Sequence, residues 1–474
     1  MINLANQIEA NIFKVVSQAT EILGLRTYVV GGYVRDLVMR RASKDIDIVT
    51  IGSGVLLAEK VAELLGGCNK VAVFKTFGTA SLSFREEGET WQIEFIGARK
   101  ESYSHDSRNP IVEDGTMEDD QMRRDFTINT LYLSLNKADY GLLIDPFDGM
   151  TDIANRIIRT NNNPDVTFSD DPLRMLRAIR FAAQLDFFLH NDTFDAIKRN
   201  AERINIITKE RITEELNRII LSPVPSVGLR LLDKTGLLQL IFPELVNLKG
   251  IDRVGTMAHK DVFLHTLKVL DNLAPNTSNL WLRWAALLHD IAKPKCKRLE
   301  PGIGFTFHGH EIRGAKMVRG IFTRMRLPLN DSMRYVEKMV ALHLRPIALV
   351  EEEVTDSAVR RLLFEAGNDI EDLMMLCEAD ITSKNRNKVA RYLNNFRIVR
   401  EKMVELEERD RIRNFQPPIS GEDIMQTFNI QPCREIGIIK DYIKEAILEG
   451  KIPNERSAAL ELMYDKAKEL GINT

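Results

Sequence analysis

The sequence predicts an α+β fold, a small mixed sheet followed by a chain that is mostly helical. Three observations carry this. Short alternations rich in β-branched residues recur between residues 27 and 98, as half-buried strands require. From about residue 155 the apolar spacing becomes three-and-four, in DPLRMLRAIRFAAQL, ERITEELNRII, LRWAALLHDIAK and MRYVEKMVALHL, which is the helical period. The length of 474 residues makes about three domains at ~150 residues each.

Residues 1–26 space Ile8, Ile12, Val15, Val16, Ala19, Ile22 and Leu23 along one helix face. Thr27–Val30 is a short strand cut by Gly31-Gly32. DIDIVTIG (45–52) alternates as a strand does, and VAELLGG (61–67) closes a helix. KVAVF, TASLSF and WQIEFIGA (to residue 98) are further strands, with EEGE as the turn between the last two. Residues 97–121 are polar and aperiodic and read as a mobile loop. NFQPPISG (414–421) reads as a linker before a final helical unit. The predicted domains are a head (1–154), a helical neck (155–250), a histidine-rich domain (251–390) and a C-terminal helical unit (391–474).

Composition narrows the function classes. Hydrophobic residues at 44% and charged residues at 28% are globular values. No uninterrupted apolar run of about 18 residues could span a membrane, and the N-terminus lacks a basic flank before an apolar core, so no secretory signal is visible. Cys68, Cys296, Cys377 and Cys433 are far apart, which argues against a disulfide framework and for a reduced, cytoplasmic setting. The net charge of −3 neither demands nor excludes a nucleic-acid partner. Six of the eight histidines lie between 259 and 343, and that concentration asks for a chemical reason.

Asp45 and Asp47, two apart on a predicted strand, project from one face. Two adjacent carboxylates repel, and a divalent cation between them removes that cost; Mg²⁺ favours carboxylate oxygens together with substrate phosphates. Glu94, between Ile93 and Phe95, is the natural third acid of a two-metal clamp for phosphoryl displacement. A lone DxD is more often a solvated strand face. Here the pair follows VVGGYVRDLVMRRASK, a strand running through Gly31 and Gly32 into a helix. Such glycines let backbone amides approach a phosphate at a helix N-terminus, and Arg35 can add charge-assisted bonds to it.

GGYVRD (31–36) with KDIDIV (44–49) resembles the polymerase-β superfamily branch that holds the class II tRNA CCA-adding enzymes and bacterial poly(A) polymerases. RRDFTINTL (123–131), DPFDG (145–149), DDPLRMLRAIRFAAQL (170–185) and ERITEEL (210–216) resemble its later motifs, in the family order. Thr130 and Asp170 stand where the family usually has alanine and glutamate. The resemblance implies a nucleotidyltransferase head that uses Mg²⁺ to join CTP and ATP to the 3′ end of tRNA. It also implies nucleotide contacts for Arg124, Asp171, Arg174, Arg177 and Arg180, the last two touching the nucleotide or holding the template in shape. Arg124 could instead pair with Asp125 and pin the motif to the sheet. Asp171 and Arg174, three apart on a predicted helix, are neighbours there. Cytosine and adenine share an amino donor beside a ring-nitrogen acceptor; a carboxylate only accepts and a guanidinium only donates, so the pair fits C and A and mismatches U and G.

His265, His289-Asp290 and Asp380 resemble the HD phosphohydrolase pattern. These residues, with His310 as the better of His308 and His310 and with His343 as a further candidate, suit a second divalent metal. Residues 420–454 resemble the C-terminal unit of HD-containing CCA enzymes, with Cys433 in place of glycine; docking of the tRNA elbow is the implied role. The leading expectation is CCA addition. Beside it stand a poly(A) polymerase or a CC-only or A-only enzyme of the same family, an HD phosphohydrolase with a nucleotide-binding head, and a non-catalytic RNA-binding protein. The sequence sets no oligomeric state.

Overall fold

The structure is a computed structural model, and the residues it describes are 2–66, 70–74, 78–86, 88–104, 107–250, 253–254, 257–258, 261–301, 304–351, 355–383, 385–410 and 416–472. The chain divides into two compact units, Met1–Pro243 and Glu244–Thr474.

The first unit opens with α1 (Asn11–Leu23), β1 (Arg26–Val30), α2 (Gly32–Val38), β2 (Asp45–Ile51) and α3 (Gly54–Leu64). Then come β3 (Val71–Phe74), β4 (Thr79–Glu86), β5 (Glu89–Gly97), β6 (Arg99–Ser104), β7 (Ser107–Asp114), α4 (Met117–Arg123), β8 (Tyr132–Ser134) and β9 (Leu143–Ile144). Seven strands form one sheet in the order β3-β4-β5-β2-β1-β8-β9. The sheet is mixed: β1 is antiparallel to β2 and β8, whereas β2 and β5 are parallel.

The alternation in DIDIV sorts the two faces of β2. Ile46 and Ile48 join Ile93 and Phe95 in the core beneath α1 and α3, with Ile12, Val16, Leu57 and Val61. Each such side chain contributes about 1.5–3 kcal/mol by leaving water. The acids therefore face the other way. On their face Tyr28, Val30, Val49 and Tyr132 form a smaller apolar cluster.

The expected loop at 97–121 is corrected. Arg99–Ser104 and Ser107–Asp114 pair as the antiparallel β6–β7 ribbon, outside the main sheet, and α4 follows behind a Thr116 capping box. A two-stranded ribbon that joins no sheet need not bury a face, so it lacks the apolar alternation by which strands are recognised. Beyond β9 the unit is mostly helical: α5 (Gly149–Asn155), α6 (Pro164–Asp170), α7 (Leu173–Leu185), α8 (Asn191–Asn200) and α9 (Lys209–Ile220) lead the series.

The second unit is a helical array built around Trp284, Leu287, Phe322 and Val336, all fully buried. Of the expected linker, residues 414–415 lie outside the described set and 416–420 are neither helix nor strand. Ser420 then caps the helix Gly421–Phe428 by accepting from the Asp423 amide. Cys433 precedes the helix Arg434–Leu448 with φ −145° and ψ 171°. That is extended backbone open to any residue, so no glycine is needed there. No helix among the described residues is long and apolar enough to cross a membrane.

Candidate functional site

Strand register gathers the three acids. Asp45 and Asp47 project from one face of β2, and the parallel pairing sets Glu94 of β5 opposite Asp47. Asp45 and Glu94 are exposed; Asp47 is half-buried. Burial pushes the Asp47 carboxyl above its usual range, against the pull of Arg124, and the neighbouring Glu94 and Asp45 add to the push. A half-buried carboxylate with two more beside it suits a hard divalent cation such as Mg²⁺.

Gly31 closes this pocket of charge. It turns at φ +77°, and a β-carbon there would lie 3.1 Å from Asp47 Oδ2 and 3.8 Å from Arg124 Nη1. Arg124 is held from behind: its Nε donates to Asp120 Oδ2 at 2.9 Å and to the Tyr132 hydroxyl at 2.9 Å, and Tyr132 donates to the same carboxylate at 2.8 Å. Arg124 Nη2 is buried without a hydrogen-bond partner among the described residues. Asp120 and Tyr132 were not expected at the site. The four-residue spacing of Asp120 and Arg124 at the end of α4 was the signal that could have found the first.

Three other arginines have partners within the protein. Arg35 is buried, with Nη1 donating to Asn129 Oδ1 at 2.8 Å and Nε to Asp36 Oδ1 at 3.0 Å. Arg177, not Arg124, pairs with buried Asp125, through Nε at 2.7 Å and Nη2 at 2.6 Å. Burial works to raise the Asp125 carboxyl, but Arg177 and Arg174 hold it below the usual range. Arg180 forms a buried ion pair with Glu215 of α9 at 2.7 Å. The guanidinium carbons of Arg35, Arg177 and Arg180 all lie over the Phe181 ring, at 5.1, 5.6 and 4.2 Å from its centroid.

Asp171 and Arg174 are neighbours, but not on one helix face. Asp171 ends α6 at φ −134° and ψ 98°, and α7 begins at Leu173. Pro172 excludes its predecessor from the helical region. The Asp171 carboxylate accepts from the Leu173 amide at 3.1 Å, and its carbonyl from the Arg174 amide at 3.0 Å. Arg174 Nη2 donates to the Arg123 carbonyl at 2.7 Å, which ties the start of α7 to the end of α4.

In the second unit the expected HD residues converge. His265 Nε2 lies 2.9 Å from Asp380 and 3.5 Å from Asp290; His289 Nε2 lies 3.2 Å from Asp290. His310 and His343 approach the other Asp290 oxygen at 3.2 and 3.9 Å. His308 instead is exposed beside Glu300. Asp290 thus stands between two triads, His265–His289–Asp290 and Asp290–His310–His343. Each of His289, His310 and His343 uses Nδ1 against a backbone carbonyl at 2.8 Å. Their Nε2 atoms and Asp290 Oδ1 have no hydrogen-bond partner among the described residues. Imidazoles fixed in this way, with Nε2 turned inward, offer the kind of donor atoms that a metal ion takes. Burial opposes protonation of His289, but adjacent Asp290 raises it to about 9; burial and His289 push His343 down to about 4.

Three domain families match the chain. The Poly A polymerase head domain matches residues 27–159, a probable RNA and SrmB-binding site of polymerase A matches 186–248, and the HD domain matches 262–382. A CC-adding tRNA nucleotidyltransferase of Thermus thermophilus is 30% identical over 452 residues, covering 92% of this chain and 92% of that protein. This chain belongs to the tRNA nucleotidyltransferase family. An A-adding tRNA nucleotidyltransferase of Deinococcus radiodurans is 29% identical over 440 residues, covering 90% of this chain and 93% of its own. In fold, the nucleotidyltransferase resembles the Bacillus stearothermophilus CCA-adding enzyme solved with CTP, at a TM-score of 0.68 and 24% identity over 97% of this chain and 99% of that one.

The Gly31 geometry gives a test in this nucleotidyltransferase. Gly31→Ala and Gly24→Ala both place a side chain at positive φ, but nothing lies within 4 Å of a β-carbon at Gly24. Both should lose about 1–2 kcal/mol of stability in thermal unfolding. Only Gly31→Ala should also lose nucleotide addition, by about tenfold or more, because it displaces Asp47. Equal activity in the two variants would show that the Asp47–Gly31 contact is irrelevant.

Proposed function

We propose that this nucleotidyltransferase builds and repairs the CCA end of tRNA in the cytoplasm, taking CTP and ATP in turn. The observation that carries the reading is the in-register trio Asp45, Asp47 and Glu94 beside Gly31 and Arg124. The tRNA 3′ oxygen bonds to the α-phosphorus as the bond to pyrophosphate breaks. Magnesium bound by the three carboxylates would lower the pKa of that hydroxyl and offset charge on the departing oxygen. Arg124, braced by Asp120 and Tyr132, directs positive charge at the phosphates. Asp171 and Arg174 present one acceptor and one donor to the pairing edge of C or A, while Arg177 and Asp125 fix the start of α7 against RRDF.

The test uses tRNA transcripts ending before CCA, after C and after CC, with Mg²⁺ and single nucleotides. Incorporation of CTP and ATP that stops after three residues supports the reading. Asp171→Ala should cut the preference for C and A over U and G by about tenfold or more; unchanged preference would remove the pairing mimic. A second reading is favoured by the two relatives that match nine-tenths of the chain, one CC-adding and one A-adding. It holds that this enzyme adds only part of the triplet, and C alone or A alone in the same assay supports it; long A tails would mark a poly(A) polymerase.

For the second unit we infer a divalent metal centre that hydrolyses phosphate esters, held by His265, His289, Asp290 and Asp380 with His310 and His343. The partnerless Nε2 atoms support it. Loss of metal uptake in His289→Ala, with nucleotide addition unchanged, is the expected outcome.

A further inference from the structure

A cavity of about 280 Å³ opens beside the His265–Asp380 pair. It is small for a ligand site, near the lower end of the range that takes small molecules, and a folded RNA end does not fit it. Its lining is of two kinds. Part is ionic, with His265, Asp380 and Lys293, the last also bound to Asp290 at 2.6 Å. Part is apolar, with Val262, Ile347 and Phe396.

One wall comes from the long helix Arg386–Asp410, which contributes Lys388, Tyr392 and Phe396. Lys388 Nζ stands 5.5 Å over the Tyr392 ring, and among the described residues no carboxylate pairs with it. The wall is anchored. Phe396, Val399, Met403 and Leu406 of the same helix are buried. Arg400 binds Glu378 at 2.9 Å, and also Glu371, on the helix that ends just before Asp380. The wall and the carboxylate of the metal cluster are thus braced against each other.

We propose that Lys388 and Tyr392 are the specificity residues of the second centre and select a small phosphate ester whose organic half is flat and apolar. This rests on the reading of the cluster as a metal centre. Lys388 and Lys293 meet the phosphoryl oxygens as point charges suited to an anion. Tyr392 and Phe396 meet the flat half, and an aromatic contact of this kind discriminates by shape and area.

Phenylphosphonate and methylphosphonate, which cannot be hydrolysed at a P–C bond, separate the two contacts. Binding to the full chain is measured by titration calorimetry with manganese present, alongside direct measurement of bound manganese. Lys388→Ala should weaken both ligands about tenfold, and Lys388→Arg should restore them. Tyr392→Ala should weaken phenylphosphonate about tenfold and leave methylphosphonate unchanged. Equal affinities for the two ligands in the unaltered protein, or variants that bind as it does, overturn the proposal. No manganese uptake with phosphonate selectivity intact overturns the metal reading and supports the cavity; uptake without selectivity overturns this proposal alone.

Discussion

Asp47→Asn should cut nucleotide addition by about a thousandfold, roughly 4 kcal/mol in the barrier, while making the metal-free protein more resistant to heat. The two effects share one cause. Burial, with Glu94 and Asp45 alongside, raises the Asp47 carboxyl. A raised folded-state value favours the protonated form. The stability it gives is complete below the ordinary carboxylate range of about 4 and is lost as pH rises through the folded value. At neutral pH the ionised group therefore opposes folding, and asparagine removes that opposition. Melting temperature should fall with rising pH more steeply in the unaltered protein than in the variant, in chelator. Added magnesium should raise it in the first and not in the second. A variant that melts lower than the parent in chelator would contradict this account of Asp47.

Arg180→Ala should destabilise the first unit by about 3–5 kcal/mol, because it strands a buried carboxylate. The side chains of Arg180 and Glu215 are only 9% and 6% exposed. A second cation near Glu215, Arg218, lies 3.7 Å away on a side chain that is 54% exposed. Burial lowers Arg180 to about 10 against the pull of Glu215, which shows how far from water the pair sits. The melting temperature of a unit this size should drop by about 10 °C. Replacing both partners, Arg180→Met with Glu215→Leu, should recover most of it, since no charge is then left alone. A drop below about 2 °C together with a raised KM for CTP would instead assign Arg180 to the nucleotide.

The sequence made the acids legible because a strand's period of two is unambiguous: Ile46, Ile48, Ile93 and Phe95 must go inward, so Asp45, Asp47 and Glu94 must go outward. It also made the histidine cluster legible as a set, though not the position of Asp290 between two triads, which depends on how several helices pack. The start of α7 was misread because the three-residue spacing of Asp171 and Arg174 looks helical, while Pro172 forces a break between them. The partner of Arg124 was missed because RRD invites pairing with the adjacent Asp125. That carboxylate is already held by Arg177, 52 residues away in sequence, a distance no local pattern reports. The pairing of β6 with β7 was missed because polarity on both sides of a ribbon looks like irregular chain.

The mixed pairing of β2 has a bearing on synthesis by the ribosome. Its antiparallel neighbour β1 is made before it, whereas its parallel neighbour β5 follows after α3 and two further strands. β1 in turn waits for β8 at Tyr132–Ser134. Asp45 and Asp47 leave the exit tunnel well ahead of Glu94, and Arg124 with its brace arrives later still. Such long-range closure is late in folding. A nascent chain that ends before β5 therefore carries Asp45 and Asp47 without Glu94 beside them, and without Arg124.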